Sequence, residues 1–294
     1  MKLPALYLIS LVFVLGGESP SQNESPYFEF ETIIDPEGIP EAYKAYIKSP
    51  VCEKDKCYEI EIKMEWDLLG RFKAFDTLSG KPLTKLDHIP FTEEDYNRLV
   101  RLLKDPDSPL GSYQKEELIR DTRISEIDGF TGATTREIKN IVVGGGVYSC
   151  YTLWHLAHRK FSDTIAKMTQ TKIDHRLMKK WTQQQDPAVH YFVINHLDQE
   201  AFVEFREEIF KMMQSTKGYF AKTTIEKMPI EVFRDSIAQD YFSKSFETYD
   251  YFTQVALLRR LNSIPLNRSF QQLLSNQMDQ RNSLKNKLIQ NLIR

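Results

Sequence analysis

The chain has 294 residues, 41% of them hydrophobic and 27% charged, with a formal net charge of −2. That length accommodates one large or two ordinary domains with ample core. So even a charge balance removes the electrostatic case for a nucleic-acid binder, which needs a clustered basic face.

Residues 1–17 read as a secretory signal peptide. Lys2 supplies the basic start, 3–15 is almost wholly apolar, and Gly16 and Gly17 offer small residues for cleavage. The apolar run is shorter than the roughly 20 residues of a comfortable membrane span, although an uncleaved anchor stays open as the second reading. No cysteine sits just after the run, so a lipid anchor is not indicated. The expectation is an exported protein, periplasmic or secreted. Residues 18–50 read as leader and linker. They are rich in Ser, Pro, Asn and Gln at first, and then carry Pro36, Gly38 and Pro40 ahead of an amphipathic stretch at Ala42, Tyr43, Tyr46 and Ile47.

Cys52 and Cys57 sit close enough in sequence to close a small disulfide loop in an exported protein. A redox-active pair or half a metal site are the sharper alternatives. No second pair completes a four-cysteine zinc site, and no Cys-x-x-Cys-His attaches haem. Cys150 is then a single thiol of the kind usually buried. Tyr58, Ile60, Ile62, Met64 and Trp66 alternate with charged residues, the pattern of a half-buried strand in an antiparallel sheet. Gly70 permits a turn, with a returning strand over 71–75. Thr92 caps a helix carrying Tyr96, Leu99, Val100 and Leu103, which Asp105-Pro106 ends. A further short helix is expected over 112–119. Strands and helices mixed without βαβ alternation give an α+β fold.

At the centre of the chain stands Asp128-Gly129-Phe130-Thr131-Gly132-Ala133-Thr134-Thr135. It reads as a strand, a glycine-relieved turn and a helix start, where free backbone N–H groups and the dipole favour an anion such as phosphate. The same residues also make a plain capping box, Thr134 to Glu137. The spacing Asp-x-x-Thr-Gly-Ala-Thr resembles the flavinylation motif of FMN-binding domains, found in the C and G subunits of sodium-pumping NADH:quinone oxidoreductase and its electron-transport relatives. The resemblance implies FMN joined through its phosphate to the Thr134 hydroxyl by a flavin transferase. Asp128, Thr131, Gly132, Ala133 and Thr135 would form the surrounding site. It further implies a redox partner protein, in the setting of a membrane-associated electron-transport complex, and an electron carrier rather than a stand-alone enzyme. Arg136 stands where the family often has a further Ser or Thr, and no Glu-Thr-Pro-Gly segment lies upstream. Those two departures define the alternative, an exported helical adaptor whose degenerate FMN-like domain binds no cofactor.

After the motif a short helix is expected over 138–143, interrupted by Gly144, Gly145 and Gly146. The glycines fit a hinge, a close approach to a flat ligand, or a simple helix break. From Val147 one long helix is expected, with Val147, Tyr151, Trp154, His158, Phe161, Ile165 and Met168 in one stripe. Such a stripe is usually core, but Tyr148, Tyr151, Trp154 and His155 are also natural partners for a flavin ring. His155 and His158 stand at the spacing of a metal pair or of two hydrogen-bonded histidines. Neither a Gly-x-Ser-x-Gly elbow, a P-loop nor a GxGxxG is present, so no catalytic constellation is assigned.

Residues 51–170 thus read as an FMN-binding-like domain, and 171–294 as a helical one, either HEAT-like or a bundle. Its helices are expected at 173–182, 188–197, 202–214, 230–241, 252–261 and 270–293, the last either whole or broken. Phe242, Phe246, Tyr249, Tyr251 and Phe252 are dense enough either to fill helix seams or to dock a partner.

Overall fold

The structure, a computed structural model, describes residues 26–53, 56–85, 88–118, 136–216, 218–278 and 282–293. The fold is α+β, a small antiparallel sheet followed by many helices. Packing divides it into two units, one through Thr171 and one from Lys172.

The sheet is a four-stranded antiparallel meander of β1 (Tyr27–Ile34), β2 (Pro40–Glu53), β3 (Lys56–Asp67) and β4 (Phe72–Thr77). Much of the stretch expected to be leader and linker therefore supplies strands. At the first turn the Asp35 carboxylate accepts the amides of Glu37 and Ile39, both at 2.9 Å, and Gly38 takes the left-handed conformation, φ 78°. Asp67 and Gly70 repeat this device between β3 and β4: Asp67 Oδ1 accepts the Leu69 and Arg71 amides, and Gly70 has φ 81°. Cys52 and Cys57 are cross-strand partners at the β2–β3 hairpin and form a disulfide.

Register sorts the two faces. Tyr43 pairs with Trp66, Ala45 with Met64 and Ile47 with Ile62, and all six are fully buried. The opposite face carries Lys48, Glu59, Glu61 and Lys81, linked by ion pairs. This is the alternation read from β3, and it leaves one face apolar and one wet.

Helix α1 (Glu93–Leu103) starts at Thr92 with a full capping box, Asp95 returning the hydrogen bond. In place of the helix expected over 112–119 are two 3₁₀ turns, Pro109–Ser112 and Lys115–Glu117. Helix α2 (Arg136–Lys139) ends before the expected 143. The long helix expected from Val147 is two helices, α3 (Val147–His155) and α4 (Ser162–Gln170), joined by a π-helical turn at Leu156–Lys160. That extra residue per turn re-aims the stripe so that Phe161 meets Phe28, Phe30 and Trp66 with centroids 4.9, 5.4 and 5.6 Å apart. At the far end Thr169 Oγ1 donates to the Leu68 carbonyl, 2.6 Å away, and lies 3.0 Å from the Tyr43 hydroxyl.

The second unit comprises α5 (His175–Gln183), α6 (Pro187–His196), α7 (Gln199–Glu204), α8 (Arg206–Ser215), α9 (Phe220–Lys227), α10 (Ile230–Arg234), α11 (Ser236–Ser245), α12 (Tyr251–Arg260), α13 (Arg268–Asn276) and α14 (Ser283–Leu292). Asp174, Asp186, Asp198, Asp235, Asp250, Asn267 and Asn282 each cap a helix by accepting an amide of its first turn. Asp235 splits the helix expected over 230–241, and Phe205 the one over 202–214. Helix α9 was not expected at all. Within this unit packing joins α5 to α8, α9 to α12 and α11 to α13. Phe220, Phe233, Phe242, Phe246 and Phe270 fill its core. Phe242 and Phe246 are therefore seam residues, which ends the docking reading for them, while Tyr251 and Phe252 remain 40% and 59% exposed.

Candidate functional site

Asp128, Thr131, Gly132, Ala133, Thr134 and Thr135 lie outside the described residues. What is described is the ground on either side of them. Leu118 is fully buried before the gap, and Ile138, Val142 and Val143 are buried after it. The Tyr113 hydroxyl donates to the Glu137 carboxylate of α2, and the Tyr113 carbonyl accepts the Tyr151 hydroxyl of α3 at 3.3 Å. Tyr113 thus ties the chain ahead of the motif to the chain behind it.

The glycine run has a packing explanation. Gly145 takes φ 71°. A Cβ on Gly146 would stand 2.8 Å from the Phe91 ring, so the bare backbone at the start of α3 is what lets that ring in. Gly111 plays the same part for Trp154, whose ring edge would be 2.6 Å from an added Cβ.

Trp154 is core. Its Nε1 donates to the Asp105 carbonyl at 2.8 Å, and the Arg159 guanidinium lies 5.9 Å from its ring centroid. His158 sits against the same ring, and its Nε2 lies 2.9 Å from the Leu103 carbonyl, to which it donates. His155 lies between Tyr151, tilted against it with centroids 4.2 Å apart, and Trp154, edge-on at 5.1 Å. Its Nε2 is buried without a partner. Burial, first of all, lowers the pKa of both histidines, with Arg159 acting in the same direction. Neutral imidazoles suit metal ligation, but among the described residues no group of three His, Cys, Asp or Glu could hold an ion.

Nearby, the Tyr58 hydroxyl and Ser149 Oγ are 2.5 Å apart, and both lie within reach of the Thr84 carbonyl. Cys150 is a free, buried thiol that accepts the Val143 amide at 3.3 Å; burial pushes its pKa up to about 12. A thiol so held is inert as a nucleophile at neutral pH. No described helix is long and apolar enough to cross a membrane.

Sequence reasoning picked out Tyr151, Trp154, His155 and His158, and Glu137 only as the end of a capping box, but missed Tyr113. Nothing local in the sequence marks the Tyr113–Glu137 pairing, which depends on where the turns after α1 fall. No protein-family model, curated protein or solved structure matches the chain.

Proposed function

We propose that the protein is an exported FMN-binding electron carrier, with the flavin held by a phosphoester to Thr134. The observation that carries this reading is the motif itself, Asp128, Thr131, Gly132, Ala133 and Thr134 at flavinylation spacing. Helix α2 (Arg136–Lys139) lies just beyond it. The Cys52–Cys57 disulfide suits an oxidising compartment, which supports export. The flavin, when attached, supplies the redox chemistry. The chain's own part is to fix the tether, with Gly132 and Ala133 keeping bulk away from the main chain and Asp128 ordering the turn or assisting transfer. A covalent tether also keeps the carrier loaded where free flavin would diffuse away. Its electron donor and acceptor would be partner proteins of a membrane-associated chain.

Intact mass of the protein coexpressed with a flavin transferase and exported tests the reading. One added FMN is expected, lost in Thr134→Val and reduced in Asp128→Ala. An unmodified chain, under conditions that modify an established family member, would overturn it. Arg136 and the missing Glu-Thr-Pro-Gly segment favour the second reading, an exported helical adaptor without cofactor, and that same negative result would support it.

A further inference from the structure

His155 ends α3 with an unmatched hydrogen-bonding atom. The Leu110 backbone of the Pro109–Ser112 turn acts on the ring and favours its charged form, while Nε2 is enclosed and has no partner. A neutral imidazole tolerates this, because one nitrogen is a bare lone pair. An imidazolium carries N–H on both nitrogens and needs two acceptors, so the enclosed one would be stranded.

The charges around it do not relieve that. On its own segment Arg159 and His158 face it, and both disfavour a further cation. The Pro109–Ser112 turn contributes the Leu110 backbone. The Lys115–Glu117 turn brings Glu116 and Glu117 to bear on Tyr151, and at the end of α1 Asp105 acts on His158. The carboxylates therefore serve its neighbours rather than His155 itself.

The position gives this imbalance leverage. The Pro109–Ser112 turn packs against both α3 and α2. Tyr113, immediately after it, joins Glu137 to Tyr151, whose ring packs against His155. We propose that His155 is an acid-released latch: its protonation unseats α3 from the Pro109–Ser112 turn and loosens both described flanks of residues 119–135.

The direction follows from linkage. Burial holds the folded imidazole below its ordinary value of 6.5, so below that pH the opened form binds the extra proton. The latch is fully closed above about pH 6.5 and weakens as the pH falls.

Hydrogen exchange of the full, disulfide-bonded chain tests this, at about pH 7.5, 6.5 and 5.5 with the chemical pH dependence of exchange removed. Protection over 103–118 and 136–155 is expected to fall by about tenfold per pH unit below 6.5, until the folded-state value is reached. His155→Phe keeps a ring but removes both nitrogens and should take away the His155 share of the fall, whereas His158→Gln should leave that share in place, since burial lowers both histidines. Constant protection in the wild-type chain, or an equal fall in His155→Phe, overturns the proposal. Should His155→Phe not fold, the imidazole proton resonance of wild-type His155 decides. Titration below the ordinary range, together with shifts of the Tyr151 and Trp154 ring signals, supports the latch. Titration at or above that range, without those shifts, overturns it.

Discussion

Trp66 of β3 donates its indole N–H to the carbonyl of Ala157 in the π-helical turn, a buried hydrogen bond of 2.7 Å between residues 91 apart. The bond ties the sheet's buried face to the break between α3 and α4. It also gives the π turn a structural reason, since the register change that brings Phe161 onto Trp66 comes with it.

Trp66→Phe keeps an aromatic ring but strands the Ala157 carbonyl. An unsatisfied buried acceptor costs about 1–3 kcal/mol, so the first unit should unfold at lower urea by that amount. An unchanged midpoint would mean that water replaces the indole.

The thiols make a second test. Native protein under non-reducing conditions should show no fast-reacting thiol, because Cys52 and Cys57 are paired and Cys150 is buried with its pKa near 12. Unfolding should release one. Replacing both Cys52 and Cys57 by Ser should cost about 2 kcal/mol on the chain-entropy account of so short a loop. Mapping Cys52 and Cys57 as alkylatable in the native protein would refute the pairing.

The aromatic segment of the second unit should divide by burial. Phe242→Ala or Phe246→Ala removes a ring fully enclosed in the second unit and should cost about 3–5 kcal/mol. Phe252→Ala, on a ring 59% exposed, should fall within about 0.5 kcal/mol of wild type. Equal costs in urea unfolding would contradict the packing described.

On the wet face of the sheet, Glu61 should govern part of the acid limb. The Lys81 ammonium, and next the Tyr46 hydroxyl, hold its pKa down to about 2 from 4.5. A depressed carboxylate stabilises the fold above its unfolded value, so the contribution is complete above about pH 4.5 and lost toward pH 2. Glu61→Gln should flatten stability across that window, and added salt should shrink the effect because the pairs face solvent. The alkaline limb has the opposite sign. Hydrogen bonding to Glu61 raises Tyr46, and burial raises Tyr43, each to about 12 from 10.0. Their contribution holds below pH 10 and disappears as the pH climbs toward 12, which circular dichroism at rising pH would register.

How much of this was legible depended on whether the signal was local. The alternation of Tyr58 through Trp66, the Thr92 cap and the Cys52–Cys57 pairing are all written within a few residues, and each appears as read. Strand β1 carried the same signal, Phe28 and Phe30 alternating with Glu29 and Glu31, but the polar run before it drew the whole stretch into a linker. Strand β2 was obscured by Pro40, Pro50 and its small residues, which a long strand tolerates only through its pairing with β3. Asp235 could have announced a second helix start, being followed by a good helical run. The π turn and the stranded His155 nitrogen could not be read at all. Both are set by elements distant in sequence, the first by Trp66 and the second by the turn around Leu110.

The meander also imposes an order on synthesis. Every pairing in β1 to β4 joins chain neighbours, so the sheet can close as soon as Thr77 has emerged, whereas the ring that covers Trp66 belongs to Phe161. At about 5–20 residues per second, the finished sheet waits roughly 5–15 s with Tyr43, Ile47, Ile62 and Trp66 bare on one side. A nascent chain in that interval presents a flat, sticky plate to its neighbours, and needs either dilution or a holding chaperone to survive it. Chains ended before Val147 are accordingly expected in the insoluble fraction, and finding them monomeric and folded would show that the plate needs no cover.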